Sequence, residues 1–216
     1  LYAIDLSIGG HLIGAHDHVV IDEAHEMESS FTMAWSVNLN SGRFDWLASQ
    51  AKRVISGKQS DAVAKISELA KTMTKNMTDH QEQWVYSGNA AAILETLELA
   101  EGRIEALNRL VSSSSSDERT KLRITNAGES LLEDVRVARR FLTDIQPLSQ
   151  IAWIEPNRSG KPELHIAPLD VSENLEEFLW SKKQAVLTSA TIPTNLMERL
   201  RIPGEEENPL VIDSPF

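Results

Sequence analysis

The stretch His18-Val19-Val20-Ile21-Asp22-Glu23-Ala24-His25 decides the fold class. Its first four residues form a short apolar run rich in β-branched side chains, and two acids follow directly. This pattern is typical of a buried parallel strand whose carboxyl end meets a functional site. The stretch therefore predicts an α/β fold.

Further strand-like runs are absent for over a hundred residues after this strand and return in the last third of the chain. Four such runs are found, at residues 151–154, 163–166, 185–188 and 209–212. Residues 158–162, rich in turn-forming types, predict a hairpin between the first two. A short helix is predicted from Ser172 to Trp180, with Ser172 as its capping residue.

The middle of the chain is predicted to be helical throughout. One helix is predicted over residues 41–56, capped by Asn40 or Ser41 and ended by Gly57. A second helix is predicted over residues 60–77.

Two longer helices are predicted from apolar residues that recur with spacings of three and four, as in a coiled-coil seam. The seam consists of Ile93, Leu97, Ala100, Ile104, Leu107 and Val111, and then of Ile124, Leu131, Val135, Ala138, Leu142 and Ile145. The serine run at residues 112–116 has little to bury, so it is predicted to form the tip of an antiparallel helical hairpin. Pro147 is predicted to end the second arm.

Strand-like runs on both sides of the helices indicate an insertion rather than two domains in series. A helical module at residues 27–146 is predicted to interrupt one α/β domain built from residues 1–26 and 147–204. Residues 205–216 are predicted to begin a further domain.

Composition excludes several classes of protein. A hydrophobic content of 41% over 216 residues is enough for a core, and the chain has neither an apolar run long enough to span a membrane nor a secretory signal. The absence of cysteine excludes disulfides and thiolate metal sites, and the chain is predicted to be cytoplasmic. The net charge of -11 argues against a broad nucleic-acid surface, so any contact with DNA is expected to be local.

Asp22 and Glu23 are the strongest candidates for catalysis. Adjacent carboxylates at the end of a buried strand can divide the work of a phosphoryl-transfer site, one holding Mg²⁺ and the other orienting or deprotonating the attacking water. The alternative is an acidic strand end that faces solvent or caps the following helix.

The chain resembles the XPD/DinG-like superfamily 2 DEAH-box DNA helicases. Residues 2–29 resemble motif II of that family, and Leu187-Thr188-Ser189-Ala190-Thr191-Ile192 resembles motif III. Residues 167–172, which lead into motif III, and the final Asp213-Ser214-Pro215-Phe216 also have the family pattern. Four matches in the family order are more specific than any one of them.

The resemblance implies a partial RecA-like P-loop motor domain with a large all-α insertion, the arch domain, so that helix predominates overall. It implies that Asp22 coordinates Mg²⁺ through water and that Glu23 activates the water that attacks ATP. His25 would link the nucleotide site to motif III, residues Thr188, Ser189, Ala190 and Thr191, which couples ATP state to DNA. The implied activity is an ATP-dependent DNA helicase acting on single-stranded or forked DNA, with DNA repair as the family's usual setting.

The chain lacks two parts of a complete helicase. It contains no Gly-x-x-x-x-Gly-Lys-Ser/Thr loop to hold the β- and γ-phosphates, and the family's arginine finger is also missing. It is therefore expected to be an internal piece of a longer protein and inactive alone. An iron-sulphur cluster is possible in such a parent, but this chain has no ligands for it.

Other interpretations stay open at this level. Arg136, Arg139 and Arg140 form a basic helix face that could contact single-stranded nucleic acid, although Glu133 and Asp134 beside them favour a solvated face.

The tryptophans of the helical region are more typical of packing than of base stacking, and the histidines around the first strand do not match a metal-binding spacing. The rival functions are a non-catalytic helical scaffold that binds a protein partner and a nucleotide-independent DNA-binding module.

Overall fold

The computed structural model describes residues 1–80, 84–86, 88–143, 149–191, 193 and 195–203. They form two compact units. The terminal unit contains Leu1–Trp35 and the described residues from Asp170 onward, and the helical unit contains Ser36–Leu169. Helices predominate and the sheets are small, so the fold is mixed α/β.

Thirteen regular helices and strands are found among the described residues. In chain order they are α1 (Tyr2–Ser7), β1 (His18–Ile21), α2 (Met27–Ala34), β2 (Val37–Asn40), α3 (Ser41–Ala51), α4 (Ser60–Thr78), α5 (Ala91–Ser112), α6 (Glu118–Thr143), β3 (Gln150–Pro156), β4 (Pro162–Pro168), α7 (Ser172–Leu175), β5 (Gln184–Leu187) and α8 (Leu196–Arg199). Short 3-10 turns cover Ala24–Glu26 and Gly57–Gln59, and a π-helical turn, Glu176–Trp180, follows α7.

The helical unit is built around the hairpin of α5 and α6, which confirms the prediction from the seam. Every described seam residue is at most 1% exposed, because the three-four spacing places all of them on the facing sides of the two helices. The serine run forms the connection, and the Asp117 carboxylate caps α6 by accepting the Thr120 amide at 2.9 Å. Ile145 and Pro147 lie outside the described residues.

The two shorter helices are present, with one correction. α4 agrees with its predicted bounds, and the Asn40 side chain caps α3 by accepting the Arg43 amide at 3.3 Å. The predicted end of α3 near Ser56 is wrong, because the helix ends at Ala51. There the chain tightens into i to i+3 bonds, with the Val54 amide donating to the Ala51 carbonyl.

A three-stranded antiparallel sheet, in the order β2-β4-β3, completes the helical unit. Its inner face, which includes Leu39, Leu164 and Ile154, joins the same core as the helices. The predicted hairpin between β3 and β4 is confirmed. The Asn157 carboxamide oxygen accepts the amides of Ser159 and Lys161, which organises the turn.

The unit boundaries differ from the predicted domain boundaries. Residues 147–204 are predicted from sequence to belong with the first strand, whereas β3 and β4 belong to the helical unit. The reason is that β2, which begins two residues after Trp35, pairs with β4, so that β2, β3 and β4 form a sheet of their own. Residues 205–216, including the predicted strand at 209–212, lie outside the described residues.

The terminal unit contains a parallel pair, β1 and β5, packed on α1, α2 and the helix that begins at Ser172. Val19 and Ile21 face that core. The prediction that β1 pairs in parallel is confirmed. The prediction that β1 is buried is wrong for the face that carries Val20, which points away from this core. Val20 is 70% exposed and its register partner Val186 is 58% exposed, because none of the described residues covers them.

The helix predicted from Ser172 to Trp180 is present as α7 and the π-helical turn. Its cap is not Ser172, which is already the first helical residue. Instead the Asp170 carboxylate accepts bonds from the Ser172 amide at 2.8 Å and hydroxyl at 2.9 Å. These bonds, the amide first, lower the pKa of Asp170.

Among the described residues, no helix combines the length and the apolar character that a membrane span requires.

Candidate functional site

The candidate site lies where β1 and β5 end. Ile21 and Leu187 are register partners in parallel strands, so Asp22 and Thr188 leave the sheet side by side at its carboxyl edge. Backbone bonds extend the pairing past both strands, since the Thr188 amide donates to Ile21 and the Ala24 amide donates to Thr188, each at 2.9 Å. Residues 166 positions apart in sequence are thereby held at one edge.

Asp22 is exposed and held in its ionised form. The Thr188 hydroxyl donates to one carboxylate oxygen at 2.7 Å. This bond, and then the Glu23 amide, lower the pKa of Asp22. A hydrogen bond to the charged form favours that form, so Asp22 remains a carboxylate below the pH at which a free aspartate becomes protonated.

Glu23 has a left-handed backbone conformation, with φ +53° and ψ +47°. This conformation is uncommon for residues other than glycine, costs roughly 1–3 kcal/mol and is found most often at functional sites. Its carbonyl accepts the Glu26 amide at 2.8 Å, which starts the 3-10 turn. The carboxylate projects into solvent with 57% of the side chain exposed.

His25 joins the two strand ends through a directed chain of hydrogen bonds. The Ser189 hydroxyl donates to the Thr191 carbonyl at 2.8 Å, so its oxygen is left to accept from His25 Nδ1, also at 2.8 Å. His25 Nδ1 also lies 3.2 Å from Glu23 Oε2. Glu23 and His25 are therefore in contact with the segment that follows β5.

The structure thus brings together Asp22, Glu23, His25, Thr188, Ser189 and the Thr191 backbone. Ala190 is exposed between them. Ile192, which completes the motif III resemblance, lies outside the described residues.

The two carboxylates at this edge, Asp22 and Glu23, do not belong to a larger cluster of metal ligands among the described residues. Among the described residues, no group of three or more His, Cys, Asp or Glu side chains is arranged to hold a metal ion. Mg²⁺ usually keeps several waters and takes one or two carboxylates, with substrate phosphates as further ligands. The ionised, exposed Asp22 fits a magnesium ion that binds together with a nucleotide.

The three candidate arginines, Arg136, Arg139 and Arg140, lie on α6 in the helical unit, and two of them are engaged in ion pairs. Arg136 lies 2.9 Å from Glu101 and 2.7 Å from Glu105, and Arg139 lies 3.0 Å from Glu101. The bond to Glu101 raises the pKa of Arg136. Arg140 is exposed. Because glutamates of α5 neutralise two of the three charges, the face is less basic than the sequence indicates.

Asp5 is a site-supporting residue that the sequence analysis missed. It is fully buried, and one carboxylate oxygen accepts the amides of Leu12 at 2.6 Å and Ile13 at 3.1 Å. The other oxygen, Oδ2, has no hydrogen-bond partner among the described residues. Asp5 thereby fixes the loop that leads into β1. A lone acid in an apolar run was the available signal, but a sequence pattern does not show which amides it will bind.

No protein-family model matches this chain, and no curated protein matches its sequence. The basis for a functional proposal is therefore the geometry at the two strand ends, together with the motifs that meet there.

Proposed function

We propose that this chain is part of an ATP-dependent DNA helicase of the XPD/DinG type, contributing the hydrolysis motif of a RecA-like motor domain. One observation carries the proposal: His25 and Ser189, 164 positions apart, are hydrogen-bonded at the edge where Asp22 meets Thr188. These are the residues through which motif II and motif III communicate in that family. A chance acidic strand end would not require both bonds.

In this proposal each residue has a separate task. Mg²⁺, when bound, supplies positive charge to the phosphates during phosphoryl transfer. Asp22 provides an ionised oxygen for its water shell, and Thr188 keeps that oxygen ionised and oriented. Glu23 accepts a proton from the attacking water, and its exposed carboxylate has access to that water. His25 reports the state of Glu23 to Ser189.

In this proposal, the remaining parts of the motor come from outside this chain. The chain contains no phosphate-binding loop, so ATP binding requires a loop from a longer protein. The outward face of β1 and β5, with Val20 and Val186 exposed, is consistent with a larger parallel sheet, because such sheets are normally covered on both faces. The helical unit would correspond to the arch that borders single-stranded DNA, with the exposed Arg140 as its candidate contact.

The decisive experiment is the Glu23→Gln substitution in the protein that also carries the phosphate loop. ATP turnover is expected to fall at least about 100-fold, the usual contribution of a general base, while nucleotide binding is retained. Glu177→Gln is the matched control, because Glu177 is an exposed glutamate away from the strand ends. Turnover that is unchanged in Glu23→Gln would refute the proposed role.

A scaffold role is the second candidate, and two observations favour it for the chain alone. The phosphate loop is absent, and the α5–α6 hairpin has a fully buried seam ending in an exposed serine tip. Unchanged turnover in Glu23→Gln, together with loss of a protein partner when residues 112–116 are shortened, would favour the scaffold over the motor.

A further inference from the structure

The outer face of the sheet in the helical unit carries a continuous row of planar side chains. The inner residues of β2, β3 and β4 join the core, so the alternate residues face outward. Asn38 is the register partner of His165, His165 that of Trp153, and Trp153 forms a bridge with Trp84. The four residues thus lie side by side across the sheet.

The ring geometry within this row is that of a stacking surface. The His165 ring lies parallel to the Trp153 ring, at an interplanar angle of 14° and a centroid distance of 5.1 Å. Trp84 meets Trp153 edge to face at 6.3 Å. Trp84 is 65% exposed, which is unusual for so large an apolar side chain. Most of the Trp84 indole surface is therefore open to a partner.

Two carboxylates lie beside the row. Glu155 and Glu163 are register partners on the same face, adjacent to Trp153 and His165 along their strands. His165 Nε2 is 3.4 Å from a Glu155 oxygen and 3.7 Å from a Glu163 oxygen but makes no aligned hydrogen bond to either. His165 Nδ1 donates to the side-chain carboxamide oxygen of Asn38, Oδ1, at 2.7 Å. The other outward residues of the three strands are uncharged, so the face is acidic and aromatic.

The combination of exposed aromatic rings and carboxylates on this face is unfavourable for binding nucleic acid. Base stacking on Trp84 would bring a phosphate backbone towards two carboxylates, whereas single-strand binding surfaces combine aromatic rings with basic side chains. It selects for a planar cation, because an arginine guanidinium stacks on indole faces and binds carboxylates in two-pronged fashion. His165 already shows this arrangement in part, as a nitrogen ring stacked on Trp153 and directed at both carboxylates.

We propose that this face docks an arginine-containing segment of another protein, with an arginine side chain stacked on Trp84 and paired with Glu155. Glu155 is 53% exposed and lies two residues from Trp153, roughly 7 Å along the strand, within reach of an arginine that covers the indole. The proposed interaction depends on the helical unit alone.

The test uses nuclear magnetic resonance of the ¹⁵N-labelled chain, titrated with a peptide of alternating arginine and glycine. The indole signals of Trp84 and Trp153 are expected to shift, and that of Trp46, which is 43% exposed on α3, is expected to stay in place. Trp84→Ala should weaken binding about twofold to fivefold, the size of an exposed cation–π contact, while Trp46→Ala leaves it unchanged. A lysine version of the peptide should bind more weakly than the arginine version.

Glu155→Gln is the second variant, since it keeps the shape of the side chain and removes its charge. It should weaken peptide binding and reduce its dependence on salt. Equal affinity in Trp84→Ala and the unaltered chain would overturn the proposal. So would an oligothymidylate that shifts the Trp84 signal when the peptide does not, because that result would identify the face as a nucleic-acid surface.

Discussion

Gly128 of α6 lies against the Asn108 side chain of α5, and alanine at position 128 is expected to destabilise the helical unit. A Cβ atom added to Gly128 would lie 2.1 Å from Asn108 Oδ1 and 2.8 Å from Asn108 Cγ. Gly102, on α5, provides a matched control in the same hairpin. It is exposed, and an added Cβ there meets no atom within 4 Å.

The magnitude follows from two opposing effects. Replacing glycine by alanine within a helix stabilises it by roughly 1 kcal/mol, because the backbone loses less freedom on folding. Overpacking a core contact costs about 1–3 kcal/mol, because Asn108 must move out of its place. Gly102→Ala should therefore raise the free energy of unfolding by roughly 1 kcal/mol, and Gly128→Ala should lower it by up to about 2 kcal/mol.

Urea unfolding followed by circular dichroism at the helical band measures both variants. Asn108 Oδ1 is buried and has no hydrogen-bond partner among the described residues. Replacing Asn108 by alanine therefore leaves no donor that had been bonded to Oδ1 unpaired. Adding Asn108→Ala to Gly128→Ala should recover part of the loss. If Gly128→Ala proves as stabilising as Gly102→Ala, the close contact between Gly128 and Asn108 is incorrect.

Three further predictions concern carboxylates that receive hydrogen bonds. Thr188→Val should raise the pKa of Asp22 towards its usual range, because the hydroxyl that favours the ionised form is lost. The pKa is measured by a pH titration of the Asp22 carboxyl carbon signal in nuclear magnetic resonance, and an unchanged pKa would contradict the prediction. Asp117→Ala should lower the thermal midpoint of unfolding at neutral pH and have less effect in acid. Hydrogen bonds from Thr120 lower the pKa of Asp117 in the folded state. The resulting stabilisation is present above the unfolded-state pKa and is lost as the pH falls through the folded-state pKa. Asp5→Ala should destabilise the terminal unit by about 1–3 kcal/mol, because the amides of Leu12 and Ile13 lose their acceptor. Limited proteolysis should then cut the variant between residues 8 and 17. Equal resistance of the variant and the unaltered chain to cleavage would show that Asp5 does not hold the loop.

Much of the secondary structure was accessible from sequence because it depends on local periodicity. The α5–α6 hairpin follows from apolar residues three and four apart, and the bounds of α4 follow from the same kind of pattern. The His18–Ile21 strand was recognisable from its β-branched run. The candidate site was predictable to the extent that Asp22 and Thr188 each follow a strand of one parallel pair.

Long-range pairing was not accessible, because residues that pair across a sheet carry no common local pattern. β3 and β4 have the same strand character whichever sheet they join, and only their pairing with β2 assigns them to the helical unit. The exposure of Val20 likewise depends on what packs over it and not on its own apolar character.

By itself, the sequence determined the helical hairpin, the parallel strand and the acids that follow it, because these depend on residue type and spacing. The tertiary structure decided the hydrogen bond between His25 and Ser189, the neutralisation of Arg136 by Glu101, and the row of planar side chains from Asn38 to Trp84. Each of these joins residues far apart in the chain, and their geometry exists only after the chain has folded.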